Sequence, residues 1–340
     1  MKRRLIKMKV TIKDVAKEAK VSPSTVSRVL SNSPRISDET KEKVYKVIEK
    51  LKYKPNAIAR GLVNKKTRIL GVVLPEEAEN LLSNPFFIQA MKGISSYAEK
   101  REYYITYAFS NNKESEKKHI KDLTSSGLIE GMLLLRPKEN DENIEYLKDI
   151  NFPFVIMGRL KYTEGVLWVD NDNFKAMYNI VNKLIDKGHT NIALIGAKKE
   201  LNVCKDREKG YKVALEMNGI NFSKNLVSYG EDFKEEEGYM QMKKILEKIK
   251  PTAVVAMDDL LAIGAMKALK EKDLNNLSIV GFNNIPLDKF QKPELASVDI
   301  NGMELGYYAT KLLIDKIEEV EDIRDHYIIE TTFVERESFK

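Results

Sequence analysis

Two short amphipathic segments joined by a tight turn lie near the start of this chain. The first follows Thr11, a residue type that favours the N-cap of a helix, and its apolar positions share one helical face: Ile12, Val15, Ala16 and Ala19. The second begins with Ser22 as N-cap and Pro23 at the first helical position. With a third helix predicted after Ser37, this arrangement predicts a helix-turn-helix domain.

The outer face of the second predicted helix carries short hydrogen-bonding side chains and one guanidinium group. A recognition helix needs such groups at base edges and phosphates. The candidate DNA-binding residues in and around these helices are Thr11, Ser22, Pro23, Ser24, Thr25, Ser27, Arg28 and Arg35. Periodicity alone also admits a generic three-helix bundle with a solvated, charged face.

Charge is distributed unevenly along the chain. Residues 1–66 contain 19 Lys or Arg and 6 Asp or Glu, whereas the whole chain has a formal net charge of +6. The first segment therefore favours a polyphosphate partner such as DNA. The single cysteine, Cys204, and three widely separated histidines predict no disulfide framework, metal site or cofactor. No apolar run is long enough for a signal peptide or a membrane span, which favours a cytoplasmic protein without a membrane partner.

Beyond Arg68, short apolar runs rich in β-branched residues alternate with amphipathic helical segments. One series of runs covers 69–74, 104–109, 131–135 and 154–157, and a second covers 192–195, 226–229, 253–256 and 279–282. Such alternation predicts parallel sheets covered by helices. The expected fold class is therefore α/β, with two doubly wound lobes and a cleft between them, behind an all-α N-terminal domain.

Ligands of open α/β sheets bind beyond the carboxyl ends of the strands. The loops there contain aromatic, carboxylate and amide side chains, which suit a sugar because rings pack against C–H surfaces and polar groups bind hydroxyls. The candidate effector-binding residues in these loops are Pro75, Phe86, Phe87, Arg159, Asp258 and Asn283. Asp172, Asn173 and Asp259 lie in similar positions, but helix capping is the commoner role of their residue types and is expected for them.

The strings 11–16, 21–30 and 53–62 resemble the headpiece and hinge of the lactose-repressor (LacI/GalR) family nearly residue for residue. The resemblance implies a headpiece at 1–55, a hinge at 56–67 that folds on operator DNA, and an effector domain at 68–340. The DNA contacts that it implies in the hinge are Asn56, Ala59, Arg60 and Leu62, with the leucine as a minor-groove wedge. Where this chain has Lys20, in the turn between the first two helices, the family usually has glycine.

The resemblance extends over the rest of the chain, because the second domain of the family is two-lobed and similar to periplasmic sugar-binding proteins. The effector contacts that it implies are Arg207, Phe233, Asp258 and Asn283. The family more often has Asp at the last position, which makes a charge-assisted bond between Asn283 and Arg207 doubtful. A surface salt bridge of Arg207 with Asp206 or Glu208 is an alternative role.

Four short strings look most like the maltose-operon repressors of low-GC Gram-positive bacteria: 84–87, 169–173, 205–211 and 297–301. The last string adds Asp299 to the candidate effector-binding residues. We expect an N-lobe of about 68–167 and 284–299, and a C-lobe of about 168–283 and 300–340.

The resemblance implies a homodimer whose paired headpieces bind a palindromic operator. Maltose or a maltodextrin in the cleft would shift the N-lobes and release the hinges. Another sugar, a purine or a phosphorylated partner protein is the alternative effector. A transport receptor would need an export signal and no helix-turn-helix, and an enzyme is not expected because the sequence contains no P-loop, no G-x-S-x-G elbow and no metal-ligand spacing.

Overall fold

The computed structural model describes residues 10–30, 33–53, 66–74, 84–110, 112–135, 141–274 and 276–340. Its contacts divide the chain into two units, Met1–Thr67 and Arg68–Lys340. Across the described ranges, no helix combines the length and apolar character needed to cross a membrane. In the same ranges, no group of three or more His, Cys, Asp or Glu side chains is placed to hold a metal ion.

The described residues of the first unit form three helices: α1 (Ile12–Glu18), α2 (Pro23–Leu30) and α3 (Asp38–Leu51). Their inner faces form a small core, and its most buried members are Val15, Ala16, Ala19, Val26, Val29 and Val44. The helices begin where their capping residues predict. Ser22 Oγ accepts a hydrogen bond from Thr25 N at 3.1 Å, and Ser37 Oγ accepts one from Thr40 N at 3.4 Å.

Lys20 lies in the turn between α1 and α2 with φ of 54°, in the left-handed region. A lysine in this conformation costs about 1 kcal/mol relative to glycine, because its Cβ crowds the backbone. The turn is formed all the same, so the departure from the usual glycine of the family does not prevent the helix-turn-helix.

The second unit contains two six-stranded sheets, each of which defines a lobe. The N-lobe strands are β1 (Ile69–Leu74), β2 (Tyr104–Phe109), β3 (Gly131–Leu135), β4 (Phe154–Met157), β5 (Leu167–Asn171) and β11 (His326–Ile329). Their order is β11-β5-β4-β3-β1-β2, and every pair is parallel. The N-lobe helices are α4 (Pro85–Lys100), α5 (Lys113–Ser125), α6 (Glu142–Asp149) and α11 (Gly302–Ile317).

The C-lobe strands are β6 (Ile192–Gly196), β7 (Val227–Tyr229), β8 (Ala253–Ala256), β9 (Ser278–Phe282), β10 (Ala296–Asp299) and β12 (Thr332–Val334). Their order is β12-β10-β9-β8-β6-β7, and β12 runs antiparallel to β10. The helices are α7 (Asn173–Asp186), α8 (Asn202–Met217), α9 (Glu235–Leu246) and α10 (Asp259–Lys270), with short 3₁₀ helices at Lys224–Leu226 and Pro286–Phe290. The predicted α/β class with two doubly wound lobes is confirmed.

The chain crosses between the lobes three times: between β5 and α7, between β10 and α11, and between β11 and β12. The expected lobe boundaries were wrong beyond residue 167, because β5, α11 and β11 belong to the N-lobe and β10 belongs to the C-lobe. β5 pairs with β4, and β10 pairs with β9. Local sequence does not show this exchange, since the pairing depends on segments far apart in the chain.

Two glycines let α11 pack closely against α4 in the N-lobe. A Cβ added to Gly93 would lie 1.9 Å from the Met303 carbonyl oxygen, and one added to Gly306 would lie 2.0 Å from the Ala90 carbonyl oxygen. A side chain at either position would force the two backbones apart. This contact holds residues 302–317 on the N-lobe, although they follow a C-lobe strand.

Candidate functional site

A cavity of about 140 Å³ lies between the N-lobe and the C-lobe. Seven of the predicted effector-binding residues line it: Phe86, Phe87, Arg159, Arg207, Phe233, Asp258 and Asn283. The rings of Phe86 and Phe87, at the start of α4, meet edge to face with their centres 5.0 Å apart. The cavity therefore combines apolar ring surface with charged and amide groups from both lobes.

Arg207, on α8, lines the cavity and is only 3% exposed. It therefore places a buried cation there. Its Nε donates to Asn173 Oδ1 at 3.0 Å, and its Nη1 donates to the Met257 carbonyl oxygen. The guanidinium carbon lies 4.1 Å from the centre of the Phe282 ring. Burial lowers the pKa of Arg207, but an arginine remains charged at neutral pH. Neutral amide and carbonyl oxygens thus hold the guanidinium in place.

The alternative role of Arg207 as a surface ion-pair partner is wrong, because both proposed partners bind other cations. Asp206 Oδ2 lies 2.8 Å from Arg159 Nη2, and Glu208 Oε1 lies 2.8 Å from Lys212 Nζ. Arg159 follows β4 in the N-lobe, whereas Asp206 lies on α8 in the C-lobe. This ion pair therefore joins the two lobes at the cavity.

Asp258 is a buried acceptor that both lobes share. Its Oδ2 accepts from Asn84 Nδ2 at 3.0 Å and from Asn283 Nδ2 at 2.7 Å, and its Oδ1 accepts from Leu260 N at 2.7 Å. Asn84 is the N-cap of α4 in the N-lobe. Burial raises the pKa of Asp258 to about 6, although the hydrogen bond from Asn84 opposes this shift. Because a carboxylate has about four acceptor positions, about one is left for a ligand hydroxyl.

Asn283 Nδ2 donates to Asp258 Oδ2, whereas Arg207 donates to Asn173 and Met257. These separate partners agree with the expectation that Asn283 does not form a charge-assisted bond with Arg207. Asn283 adopts φ of 107°, in the region that few side chains enter, and its backbone N donates to the Val298 carbonyl oxygen at 2.9 Å. This backbone conformation turns the chain at the end of β9 and brings the amide to Asp258.

Polar residues at the end of β5 and the start of α7 help to hold Arg207 in place. Asn173 Nδ2 donates to Asp170 Oδ1 at 3.0 Å, which leaves the Asn173 oxygen to accept from Arg207. Burial raises the pKa of Asp170 to about 6. Asp172 is the helix cap that its residue type predicts, since its Oδ1 accepts from Lys175 N at 2.9 Å. The same expectation for Asn173 was wrong, because Asp172 already occupies the cap position.

Asp259 was also expected as a helix cap, and this was wrong because Asp258 caps α10. The fully buried carboxyl of Asp259 accepts from Ser297 Oγ at 2.7 Å and from Ile285 N at 3.1 Å. A second fully buried carboxyl, that of Asp288, lies close by and raises the pKa of Asp259 further, after burial itself.

Asp288 lies in the 3₁₀ helix Pro286–Phe290, and no hydrogen-bond donor in the described residues reaches either of its oxygens. Arg336 Nη1 is 3.8 Å from Asp288 Oδ2. Burial raises the pKa of Asp288 to about 7. Sequence reasoning did not single out this pair of carboxyl groups, because nothing in the local pattern brings residues 259 and 288 together.

One predicted effector-binding residue in the described part of the chain does not line the cavity. Asp299 does not line the cavity, since its carboxylate accepts from Asn284 Nδ2 at 2.9 Å and from Asn301 N at 2.7 Å. Its carboxylate is used within the turn that leads into α11. Pro75 lies outside the described residues.

Several cavity residues were missed by sequence reasoning: Leu135, Met157, Leu201, Asn202, Met257 and Ile300. Leu135 and Met157 end their strands, so strand-end position was the signal that could have found them. Asn202 begins α8 and donates from Nδ2 to the Arg159 carbonyl oxygen at 2.9 Å, which adds another link between the lobes.

The first unit exposes the polar side of α2. The predicted DNA-binding residues of this unit are exposed or half-buried: Thr11, Ser22, Pro23, Ser24, Thr25, Ser27, Arg28 and Arg35. Ser22 Oγ lies 2.7 Å from Ser24 Oγ and 2.9 Å from Thr25 Oγ1. These hydroxyl groups cluster at a helix N-terminus, where backbone N–H groups favour phosphate. The predicted hinge contacts Asn56, Ala59, Arg60 and Leu62 lie outside the described residues.

Comparison with known protein families matches both units of the chain. The family of bacterial regulatory proteins of the lacI type matches residues 11–56. The periplasmic binding protein-like domain family matches residues 181–339.

Individual relatives span nearly the whole chain. The HTH-type transcriptional regulator MalR of Streptococcus pneumoniae is 35% identical over 314 residues, which cover 91% of this chain and 93% of that protein. Catabolite control protein A of Priestia megaterium is 34% identical over 312 residues, 90% of this chain and 92% of that protein. Among solved structures, the complex of the transcriptional regulator CelR with cellobiose is similar with a TM-score of 0.74 and 26% identity, over 97% of this chain and all of that one.

Proposed function

This chain belongs to the LacI family of bacterial DNA-binding transcriptional regulators, and from that premise we propose that it is a repressor controlled by maltose or a maltodextrin. The sugar binds in the interlobe cavity, and the headpiece binds a palindromic operator. The observation that carries the proposal is the convergence of seven predicted effector-binding residues on one cavity.

The chemistry of the cavity supports a neutral, hydroxyl-rich ligand. Phe86, Phe87 and Phe233 offer ring faces for the C–H surface of a sugar. Arg207 donates to Asn173 and Met257, and the remaining N–H groups of its guanidinium are donors for ligand hydroxyls. The acceptor position left on Asp258 complements these donors.

The relatives support a glucose disaccharide in particular. The similar structure of the transcriptional regulator CelR is a complex with cellobiose. The resemblance of four short strings to maltose-operon repressors favours maltose over cellobiose. Catabolite control protein A is nearly as similar as MalR, which keeps a regulator with a different effector as the alternative.

The size of the cavity supports control by lobe movement. Its volume of about 140 Å³ is below the roughly 300–1,000 Å³ of typical small-molecule pockets. A disaccharide therefore requires the lobes to separate, which strains the ion pair of Arg159 with Asp206 and the hydrogen bond of Asn84 with Asp258. We propose that this movement displaces the N-lobes of a dimer and releases the operator, through the differential affinity of the sugar for the two states.

Exposed apolar side chains support a homodimer. In the N-lobe, Ile88 on α4 is 56% exposed and Tyr104 on the edge strand β2 is 72% exposed. In the C-lobe, Phe290 is 78% exposed beside Leu287. Such exposed apolar groups suit a dimer interface in which a second copy of the chain packs against both lobes.

A ligand panel tests the effector. Thermal unfolding of the full chain is measured with maltose, maltotriose, cellobiose, ribose and hypoxanthine, and a ligand at about 100 times its Kd stabilises by about 2.7 kcal/mol. The proposal expects stabilisation by maltose or maltotriose and release of a labelled palindromic operator by the same sugar. Stabilisation by ribose or hypoxanthine alone would reject the maltose assignment and leave the family membership intact.

A further inference from the structure

Asn171 contacts all three crossings between the lobes. It lies on the first crossing, at the end of β5, and is 3% exposed. Its Nδ2 donates to the carbonyl oxygen of Ile300, on the second crossing, and to that of Ile329, on the third, both at 2.9 Å. One amide group therefore connects the three chain segments that join the lobes.

The geometry uses the full donor capacity of this side chain. An asparagine amide has two N–H groups, and each is matched to one crossing. Ile300 follows the last residue of β10, and both carbonyl oxygens belong to buried residues. Loss of the amide would leave buried acceptors without this donor, which is unfavourable because water does not replace it easily.

Asn171 also borders the cavity. Nearby along the chain, Asn173 accepts a hydrogen bond from Arg207 Nε, and its own Nδ2 donates to Asp170 Oδ1. The residue that connects the crossings is thus part of the segment that contacts the proposed effector site.

We propose that Asn171 is a positioning residue that ties the three crossings into one hinge, so that movement at the cavity rotates one lobe against the other. The inference rests on the proposed control of operator binding from the cavity. Without the tie, each crossing bends separately, and a displacement at the cavity is absorbed within the crossings.

The test compares Asn171→Ala with Asn182→Ala in the full chain. Asn182 is a matched control, since its Nδ2 also donates to a backbone carbonyl, that of Tyr178 at 2.9 Å, but within α7 and away from the crossings. A second variant, Asn171→Asp, keeps the shape of the side chain and removes its N–H donors. It replaces Asn171→Ala if that variant does not fold, as judged by circular dichroism.

The first measurement needs no ligand. Amide hydrogen exchange is followed in residues 300–301 and 329–331, and protection in the two segments is expected to be equal within about threefold in the unmodified chain, because they open together. In the Asn171 variants both segments should exchange at least tenfold faster and their protection should diverge. The proposal would be overturned if the Asn171 variants exchanged at the same rate as Asn182→Ala in both segments. It would also be overturned if exchange became faster in both segments while their protection stayed equal.

The second measurement is the ratio of operator Kd with and without saturating maltose. The Asn171 variants should retain at most one fifth of the maltose effect, whereas Asn182→Ala should retain all of it. An unchanged ratio alongside faster exchange would overturn the transmitting role. If maltose has no effect on the unmodified chain, the proposed effector fails, and the divergence of the two exchange rates still decides whether Asn171 ties the crossings.

Discussion

Asn84 Nδ2 donates a hydrogen bond to Asp258 Oδ2 at 3.0 Å, and this contact joins the N-terminus of α4 in the N-lobe to the N-terminus of α10 in the C-lobe. Both residues are buried, at 5% and 3% exposed. The contact holds the cleft together from inside the cavity, and Arg159 and Asp206 hold it with an ion pair.

Replacement of Asn84 by alanine should destabilise the second unit by about 1–3 kcal/mol, because it leaves the buried carboxylate of Asp258 with one donor fewer and removes the N-cap of α4. Urea unfolding at pH 7 measures the effect. The control is Asn225→Ala, which removes an exposed amide and should change stability by less than about 0.5 kcal/mol. Equal effects of the two variants would show that the interlobe bond contributes nothing.

The stability of the protein should depend on pH through Asp288, whose pKa is raised to about 7 by burial. An unfolded aspartate has a pKa of about 3.9, so between about pH 4 and pH 7 the folded state binds more protons than the unfolded state. Stability from this group therefore falls as the pH rises through that window. Asp259 and Asp288 interact and titrate as a pair, beside Asp258 and Arg336.

Asp288→Asn should remove much of this dependence, because an amide carries no charge and can donate to Asp259. The unfolding free energy of the variant, relative to the unmodified chain, should rise by at least about 1 kcal/mol between pH 4.5 and pH 7.5. Guanidinium unfolding at several pH values measures it. A difference between the two proteins that stays constant over this range would contradict the raised pKa of Asp288.

Arg28→Ala should weaken operator binding by about 1–3 kcal/mol and relax the base preference at one operator position, if Arg28 contacts a base. Binding to a set of single-base operator variants measures both effects. Lys43→Ala removes an exposed positive charge from α3 and serves as the control. A uniform loss over all sequences would make Arg28 a phosphate contact instead.

Arg207→Lys should lower affinity for maltose by at least about tenfold, because an ammonium group cannot reproduce the planar donors that meet Asn173 and Met257. Isothermal titration of the full chain measures the affinity. Lys205→Ala removes an exposed cation half a turn away on α8 and should bind maltose normally. Normal binding by Arg207→Lys would place the sugar elsewhere.

Lys20→Gly should stabilise the first unit by about 1 kcal/mol, since glycine adopts the left-handed conformation of this turn without steric cost. Amide exchange in α1 and α2 of the full chain measures the change. Lys13→Gly, inside α1, should have the opposite effect, because glycine weakens a helix interior. Destabilisation by Lys20→Gly would mean that the lysine side chain contributes more than the backbone strain costs.

Much of the fold follows from local sequence. The apolar runs predict the bounds of β1 to β4 and β8. Of these strands, β1, β3, β4 and β8 are almost wholly buried, whereas β2 lies at the edge of its sheet and is partly exposed. β5 and β10 were not predicted, since Asp170 and Ser297 interrupt their apolar pattern. The lobe to which these strands belong depends on pairing with distant strands, and no local pattern encodes that choice.

The site divides in the same way. Arg207 and Phe233 were found through family resemblance, and the ring pair of Phe86 and Phe87 through its position at a strand end. Asn173 was missed because an asparagine after a strand is most often a cap, and only tertiary structure reveals that Asp172 already fills that position. The partner of each polar group is a property of the folded chain.

The exchange of β10, α11 and β11 between the lobes has a consequence for biosynthesis. The N-lobe sheet lacks its edge strand β11 until residue 329 has been made, and the C-lobe sheet lacks its edge strand β12 until residue 334 has been made. Neither sheet is therefore complete until nearly the whole chain has been synthesised, even though domains generally fold as units during synthesis. Because the chain crosses between the lobes three times, no single cut divides it into two fragments that each contain one complete lobe.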